Sequence, residues 1–98
     1  FTSSGVGRIG RAFWGTYNIS KFATEGMMQV LADELKNSTI RVNCINPGAT
    51  RTTMRGKAYP AEDPMTLKTP QDIMPTYVYL MATASDDVNG QSLDCQPK

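Results

Sequence analysis

The sequence predicts an α/β fold built on a parallel sheet. Three observations carry that expectation. Residues 39–45 are rich in β-branched side chains and are stopped by Asn46, Pro47 and Gly48, the punctuation of a strand's carboxyl end. Residues 16–36 repeat apolar positions at three- and four-residue steps, the period of one helical face. The order along the chain is strand, loop, helix, strand, long loop, helix, strand, and parallel neighbours require helical crossovers of that kind.

The opening residues Phe1 and Thr2 read as the end of a strand already under way, so the chain is expected to be the later part of a longer domain. Residues 3–15 hold four of the eight glycines and read as a loop. In the helix that follows, Ile19, Phe22, Ala23, Gly26, Met27, Val30, Leu31 and Leu35 define the expected buried face, and Met28 and Ala32 widen it enough to suggest cover on two sides. Residues 49–68 have no sustained period and contain Gly56, Pro60 and Pro64, which predicts a long loop of the kind that forms lids. Thr69 and Pro70 then resemble an N-cap and first helical position, with Asp72 in the first turn and a helix running to residue 81. Pro75 either sits in that first turn or delays the helix. Asn89 and Gly90 make a turn into a last short strand at 91–95.

Composition narrows the chemistry. Ninety-eight residues make at most one small domain, and ten Lys and Arg against nine Asp and Glu leave a net charge of +1, which indicates neither nucleic acid nor an anionic membrane as partner. There is no histidine, which removes the Ser-His-Asp triad and every imidazole metal site, so no metal centre is expected. Cys44 and Cys95 match no metal or redox spacing and suit a reducing, cytoplasmic setting.

What remains is Ser, Tyr, Lys and carboxylate chemistry. Tyr17 and Lys21 are four apart at the start of the long helix, so phenol and ammonium lie on one face. A nearby cation favours a phenolate, which suits a tyrosine that must give or take a proton near neutrality. Ser4 stands thirteen residues earlier at a strand end, where its hydroxyl can bond a substrate oxygen, and Ser3 is its rival.

Ser4, the box Tyr17-Asn18-Ile19-Ser20-Lys21 and the run Asn46-Pro47-Gly48-Ala49-Thr50-Arg51-Thr52 resemble the carboxyl-terminal half of the short-chain dehydrogenases/reductases. Residues 21–34, 41–48 and 69–75 are similar to a bacterial group of oxidoreductases within that family. The resemblance implies a Rossmann-like, doubly wound, three-layer α/β/α sheet whose first half lies outside these residues. It implies hydride transfer between NAD(H) or NADP(H) and a small alcohol or ketone, with the choice of dinucleotide left open. Tyr17 would be the acid/base, Lys21 would depress its pKa and bond the nicotinamide ribose, and Ser4 would orient the reacting oxygen. Pro47 and Gly48 would shape the turn under the nicotinamide, Thr50 would offer backbone contacts to its carboxamide, and Thr52 would reach carboxamide or pyrophosphate. Residues 53–68 would close over substrate, and helix 16–36 would build a homodimer or homotetramer.

Other readings stand beside these. Thr52 also fits as the cap of a short helix. Arg8, Arg11, Arg51, Arg55 and Lys57 fit either an acidic substrate or plain solvation. Phe13 and Trp14 fit either a substrate wall or packing against the lid. The Gly-rich turn that cradles a pyrophosphate is not expected here, since Gly5, Gly7 and Gly10 do not lead directly into a helix. A non-catalytic segment that binds a partner through its long helix is the rival to the enzyme.

Overall fold

The structure is a computed structural model that describes residues 1–97. Its centre is the parallel pair β1 (Cys44–Asn46) and β2 (Ser92–Asp94), in register Cys44 with Ser92, Ile45 with Leu93 and Asn46 with Asp94. The opening residues add a third parallel rung on the other side of β1. Ile45 N donates to Phe1 O at 2.8 Å and Ser3 N to Ile45 O at 2.6 Å, so β1 is central. The parallel α/β arrangement is the one expected from the sequence.

The strands are shorter than the sequence predicts, 44–46 instead of 39–45 and 92–94 instead of 91–95. Before Cys44, side chains take over from the sheet ladder. Val42 N donates to Asn89 Oδ1 at 2.8 Å, and Asn43 Nδ2 donates to Val88 O at 3.0 Å. Asn89 also donates to Ala32 O at 3.1 Å, which ties the turn before β2 to the long helix.

That helix is α1 (Gly15–Glu34), close to the expected bounds but turned differently. Its buried residues are Asn18, Glu25, Met28 and Ala32, which follow one stripe at helical spacing. Ile19, Phe22, Met27 and Val30, expected inside, are exposed. The physical reason is that the inward polar groups find partners in the loop and sheet, so hydrophobicity alone does not choose the face. Met28 and Cys44 are fully buried, with Val6, Ala32 and Ile45 completing the core between α1 and the sheet. Burial of a side chain such as Met28 contributes about 1.5–3 kcal/mol.

The approach of the first loop to α1 depends on Gly7. A Cβ there would lie 2.6 Å from Ser3 Oγ and 3.0 Å from both Glu25 Cγ and Lys21 O. Residues 3–15 are therefore more ordered than an open loop. They contain the 3₁₀ turn Gly5–Gly7, which packs against α1.

Residues 49–68 also hold structure that aperiodic sequence did not reveal, the helix α2 (Thr53–Ala58) and a 3₁₀ turn at Pro64–Thr66. Arg51 N donates to Lys68 O at 2.8 Å and closes the base of the loop. Beyond it, Thr69 N donates to Asp72 Oδ2 at 2.9 Å and Asp72 N donates to Thr69 Oγ1 at 3.2 Å, a reciprocal cap. The Thr69 backbone N–H, and after it the Thr69 hydroxyl, hold the Asp72 carboxyl below its usual range. The expected helix then divides into a 3₁₀ turn at Gln71–Ile73 and α3 (Met74–Met81). Pro75 causes the delay: it has no N–H to give an earlier carbonyl and is tolerated in the first turn of α3.

Candidate active site

The start of α1 carries Tyr17 one turn before Lys21, whose ammonium reaches the opening strand residues. Lys21 Nζ lies 5.6 Å from the centre of the Tyr17 ring and donates to Thr2 O at 3.2 Å. The structure thus brings Tyr17 and Lys21 together and anchors the ammonium on the strand that leads to Ser4. Tyr17 is 38% exposed, open enough to meet a ligand.

The two serines separate by burial. Ser3 points inward against Gly7, buried, with no hydrogen-bond partner for its hydroxyl. Ser4 is half-buried, and its Oγ accepts from Val6 N at 3.4 Å, which caps the 3₁₀ turn and leaves its O–H proton available. Among the described residues Ser4 and Tyr17 share no hydrogen bond.

Asn18 joins these parts. Its Nδ2 donates to Val6 O at 2.8 Å and its Oδ1 accepts from Arg11 N at 2.7 Å, both in the loop that follows Ser4. Sequence reasoning passed over this residue inside the Tyr-Lys box. A usable signal existed, since asparagine is a weak helix former in a first turn unless its amide has a local task.

On the other side, Gly48 adopts φ +75° in the turn after β1, and its N–H donates to Asn46 Oδ1 at 3.1 Å. Thr50 is buried, and its hydroxyl donates to Gly48 O at 3.0 Å. Gln96 Nε2 donates to Pro47 O at 2.9 Å and to Ala49 O at 2.8 Å, so the residues after β2 hold the turn in shape. Nothing local in the sequence announces Gln96. Thr52 takes its capping role, with Oγ1 accepting from Arg55 N at 3.1 Å.

The arginines are mostly committed within the fold. Arg8 donates to Asp94 Oδ1 at 2.7 Å and to Ser92 Oγ at 2.8 and 3.0 Å, and Ser92 Oγ donates to buried Glu25 Oε2 at 3.1 Å. Arg51 donates to Pro64 O and Leu67 O, inside the loop it closes. Arg55 pairs with both oxygens of Glu62, at 2.8 and 3.0 Å, and stacks 3.7 Å from the Tyr59 ring centre. These three are half-buried and paired within the fold. Trp14 packs beside Tyr17, with ring centres 5.9 Å apart, while Phe13 projects fully into solvent.

Burial first, then the Glu25 charge, pushes the Cys44 thiol up to about 11, so it is protonated near neutrality and inert as a nucleophile. Among the described residues no group of three His, Cys, Asp or Glu side chains could hold a metal, and no helix is long and apolar enough to cross a membrane. Gly5, Gly7 and Gly10 do stand at the G-x-G-x-x-G spacing of a dinucleotide fingerprint. The fold uses Gly5 and Gly7 otherwise, in a turn packed on the side of α1, and leaves Gly10 in open space short of the helix start at Gly15.

A profile of the family described as short chain dehydrogenase matches residues 1–63. The oxidoreductase YciK of Escherichia coli K12 is 64% identical over 97 residues, covering 99% of this chain and 38% of its own length. A short chain dehydrogenase from Salmonella enterica serovar Typhi CT18 superposes with a TM-score of 0.97 at 65% identity, over 99% of this chain and 40% of that one. Another, from Escherichia coli CFT073 and solved in complex with NADPH, gives a TM-score of 0.95 at 64% identity, again over 99% and 40%. The chain therefore spans about two fifths of the length of the relatives it matches.

Proposed function

This chain belongs to the short-chain dehydrogenase family of oxidoreductases, and from that premise we propose that it carries the proton-transfer half of an NADP(H)-dependent alcohol/carbonyl oxidoreductase. The observation that carries the reading is the Lys21 ammonium 5.6 Å from the Tyr17 ring, on the first turns of α1 and anchored to the strand that ends at Ser4. In carbonyl reduction the Tyr17 phenol gives its proton to the substrate oxygen, and in alcohol oxidation the phenolate takes it back. The Ser4 hydroxyl, whose lone pair is engaged by Val6 N, donates its proton to the same oxygen and orients it. Lys21 spends one of its three donors on Thr2 O, and the others remain for ribose hydroxyls and for stabilising a phenolate.

The residues present fit a nicotinamide dinucleotide. Gly48 takes its left-handed turn with Gln96 closing one side, and a Cβ at Gly48 would lie 3.0 Å from Gln96 Nε2. Pro47 and Gly48 would support the nicotinamide ring from below, Thr50 and Thr52 would face its carboxamide, and Tyr17 and Lys21 would bond the ribose. When bound, the dinucleotide supplies or accepts the hydride. The choice of NADP(H) is supported by the 64%-identical relatives solved with NADPH and with NADP.

Lys21→Met in the full-length protein is expected to lower both kcat and NADPH affinity by about ten-fold or more, since a hydrogen bond to a charged group contributes about 1.5–3 kcal/mol. Steady-state kinetics with a fluorescence titration of NADPH checks this. An effect on neither quantity removes the double role of Lys21 and the reading with it.

The exposed apolar stripe Ile19, Phe22, Met27 and Val30 on α1 supports a homodimer or homotetramer through this helix. Phe22→Glu combined with Val30→Glu should lower the mass seen by sedimentation velocity to that of the monomer. An unchanged mass places the subunit contact elsewhere. Two free thiols, one of them buried, suit a cytoplasmic protein.

A further inference from the structure

On the reading that Tyr17 exchanges the proton, we propose that Trp14 is a positioning residue for the Tyr17 phenol and that Arg11 braces Trp14. Arg11 Cζ lies 5.9 Å from the Trp14 ring centre, the Trp14 and Tyr17 centres are 5.9 Å apart with planes at 45°, and Lys21 Nζ lies 5.6 Å from the Tyr17 centre. Each distance falls within the range where cation–ring and ring–ring contacts are attractive. The four side chains form one row, cation, indole, phenol, cation.

Helical geometry does not make this row by itself, because α1 begins at Gly15 and two of the four residues precede it. The loop has to be held in place. Arg11 N donates to Asn18 Oδ1 at 2.7 Å, Trp14 N donates to Arg11 O at 3.3 Å, and Phe13 adopts φ +70° with its ring wholly in solvent. A bulky aromatic residue rarely takes that backbone conformation, and it persists where the surroundings over-determine it. The side chain of Phe13 makes no buried contact that would do so. The turn at Phe13 carries Trp14 back against the first turn of α1, beside a phenol that is 38% exposed.

The consequence is mechanical. A half-exposed tyrosine ring is free to change rotamer, and each change moves the hydroxyl by several times the tolerance of a proton transfer in line with hydride transfer. The indole and the ammonium restrict the ring without using its hydroxyl. Trp14 therefore acts on the rate of the step and leaves dinucleotide binding to other residues.

In the full-length protein, Trp14→Leu is expected to lower kcat about ten- to hundred-fold, with substrate KM and NADPH Kd within about two-fold of wild type. Trp14→Phe keeps an aromatic wall and should restore most of kcat. Arg11→Met should lower kcat by about two- to five-fold, a smaller effect because it acts through Trp14. A rise in KM with kcat intact in Trp14→Leu overturns the proposal and makes Trp14 a substrate contact. Failure of Trp14→Phe to restore the rate overturns it too. If Trp14→Leu does not fold, Arg11→Met decides, and an unchanged kcat there counts against the row. Tyr17→Phe measured in parallel keeps the premise separate: full activity in that variant removes the acid/base reading, whereas an inactive Tyr17→Phe beside an unaffected Trp14→Leu removes the positioning role alone.

Discussion

Tyr17→Phe in the full-length protein is expected to lower kcat by about 10²–10⁴-fold, the usual contribution of a positioned proton donor, while NADPH affinity falls by no more than about ten-fold, the loss of one neutral hydrogen bond to the ribose. The substitution removes one O–H and keeps the ring. Packing against Trp14 at 5.9 Å and the Lys21 ammonium at 5.6 Å both survive it, so the loss reports on the proton and not on the fold. No histidine in the sequence can take over the role. Steady-state turnover with NADPH and a carbonyl substrate, beside a fluorescence titration of the nucleotide, makes the measurement. Wild-type kcat in the variant would end the acid/base assignment and transfer the proton to Ser4 or to water.

Gly7→Ala should destabilise the protein by about 1–3 kcal/mol, the range for overpacking a closed contact. The new methyl would lie 2.6 Å from Ser3 Oγ, which is buried, and 3.0 Å from the backbone oxygen of Lys21. A flexible side chain could swing away, but Lys21 O belongs to α1 and moves only with the helix. Relief therefore displaces the first turns of α1 from the strand end, the same displacement that would separate Tyr17 and Lys21 from Ser4. Activity should fall together with the midpoint of urea unfolding, and Gly7→Val should do more damage than Gly7→Ala. An unchanged midpoint in both variants would mean that the loop does not press on α1 as closely as the distances require.

Much of the architecture was legible because it rests on local signals. The β-branched run before Asn46-Pro47-Gly48 located the central strand, and the period of 16–36 located α1 within two residues at either end. Thr69 and Asp72 found their cap at the expected spacing. Of the candidate site, the proximity of Tyr17 and Lys21 followed from four-residue spacing on a helix, and the turn after the central strand from Asn46-Pro47-Gly48, while the left-handed backbone of Gly48 appears only in the structure.

The orientation of α1 was not legible. Hydrophobicity pointed to Ile19, Phe22, Met27 and Val30 as the core face, and these are exposed, while Asn18 and Glu25 are buried. Asn18 is satisfied by the loop at Val6 and Arg11, and Glu25 accepts from Ser92, 67 residues away. The pairing of Arg8, which by sequence fits an acidic substrate or solvent, and the role of Gln96 were illegible for the same reason. Their partners lie across the sheet, at Ser92 and Asp94 for one and at Pro47 and Ala49 for the other.

What the amino-acid order determined alone is the set of elements and the pairing of phenol with ammonium, since propensity, capping and helical spacing act over a few residues and need no distant partner. Which face of α1 turns inward, which of Ser3 and Ser4 stays accessible, and what the arginines hold were decided only in three dimensions. Buried polar groups go where their hydrogen bonds can be completed, and those partners are supplied by chain segments that folding alone brings near.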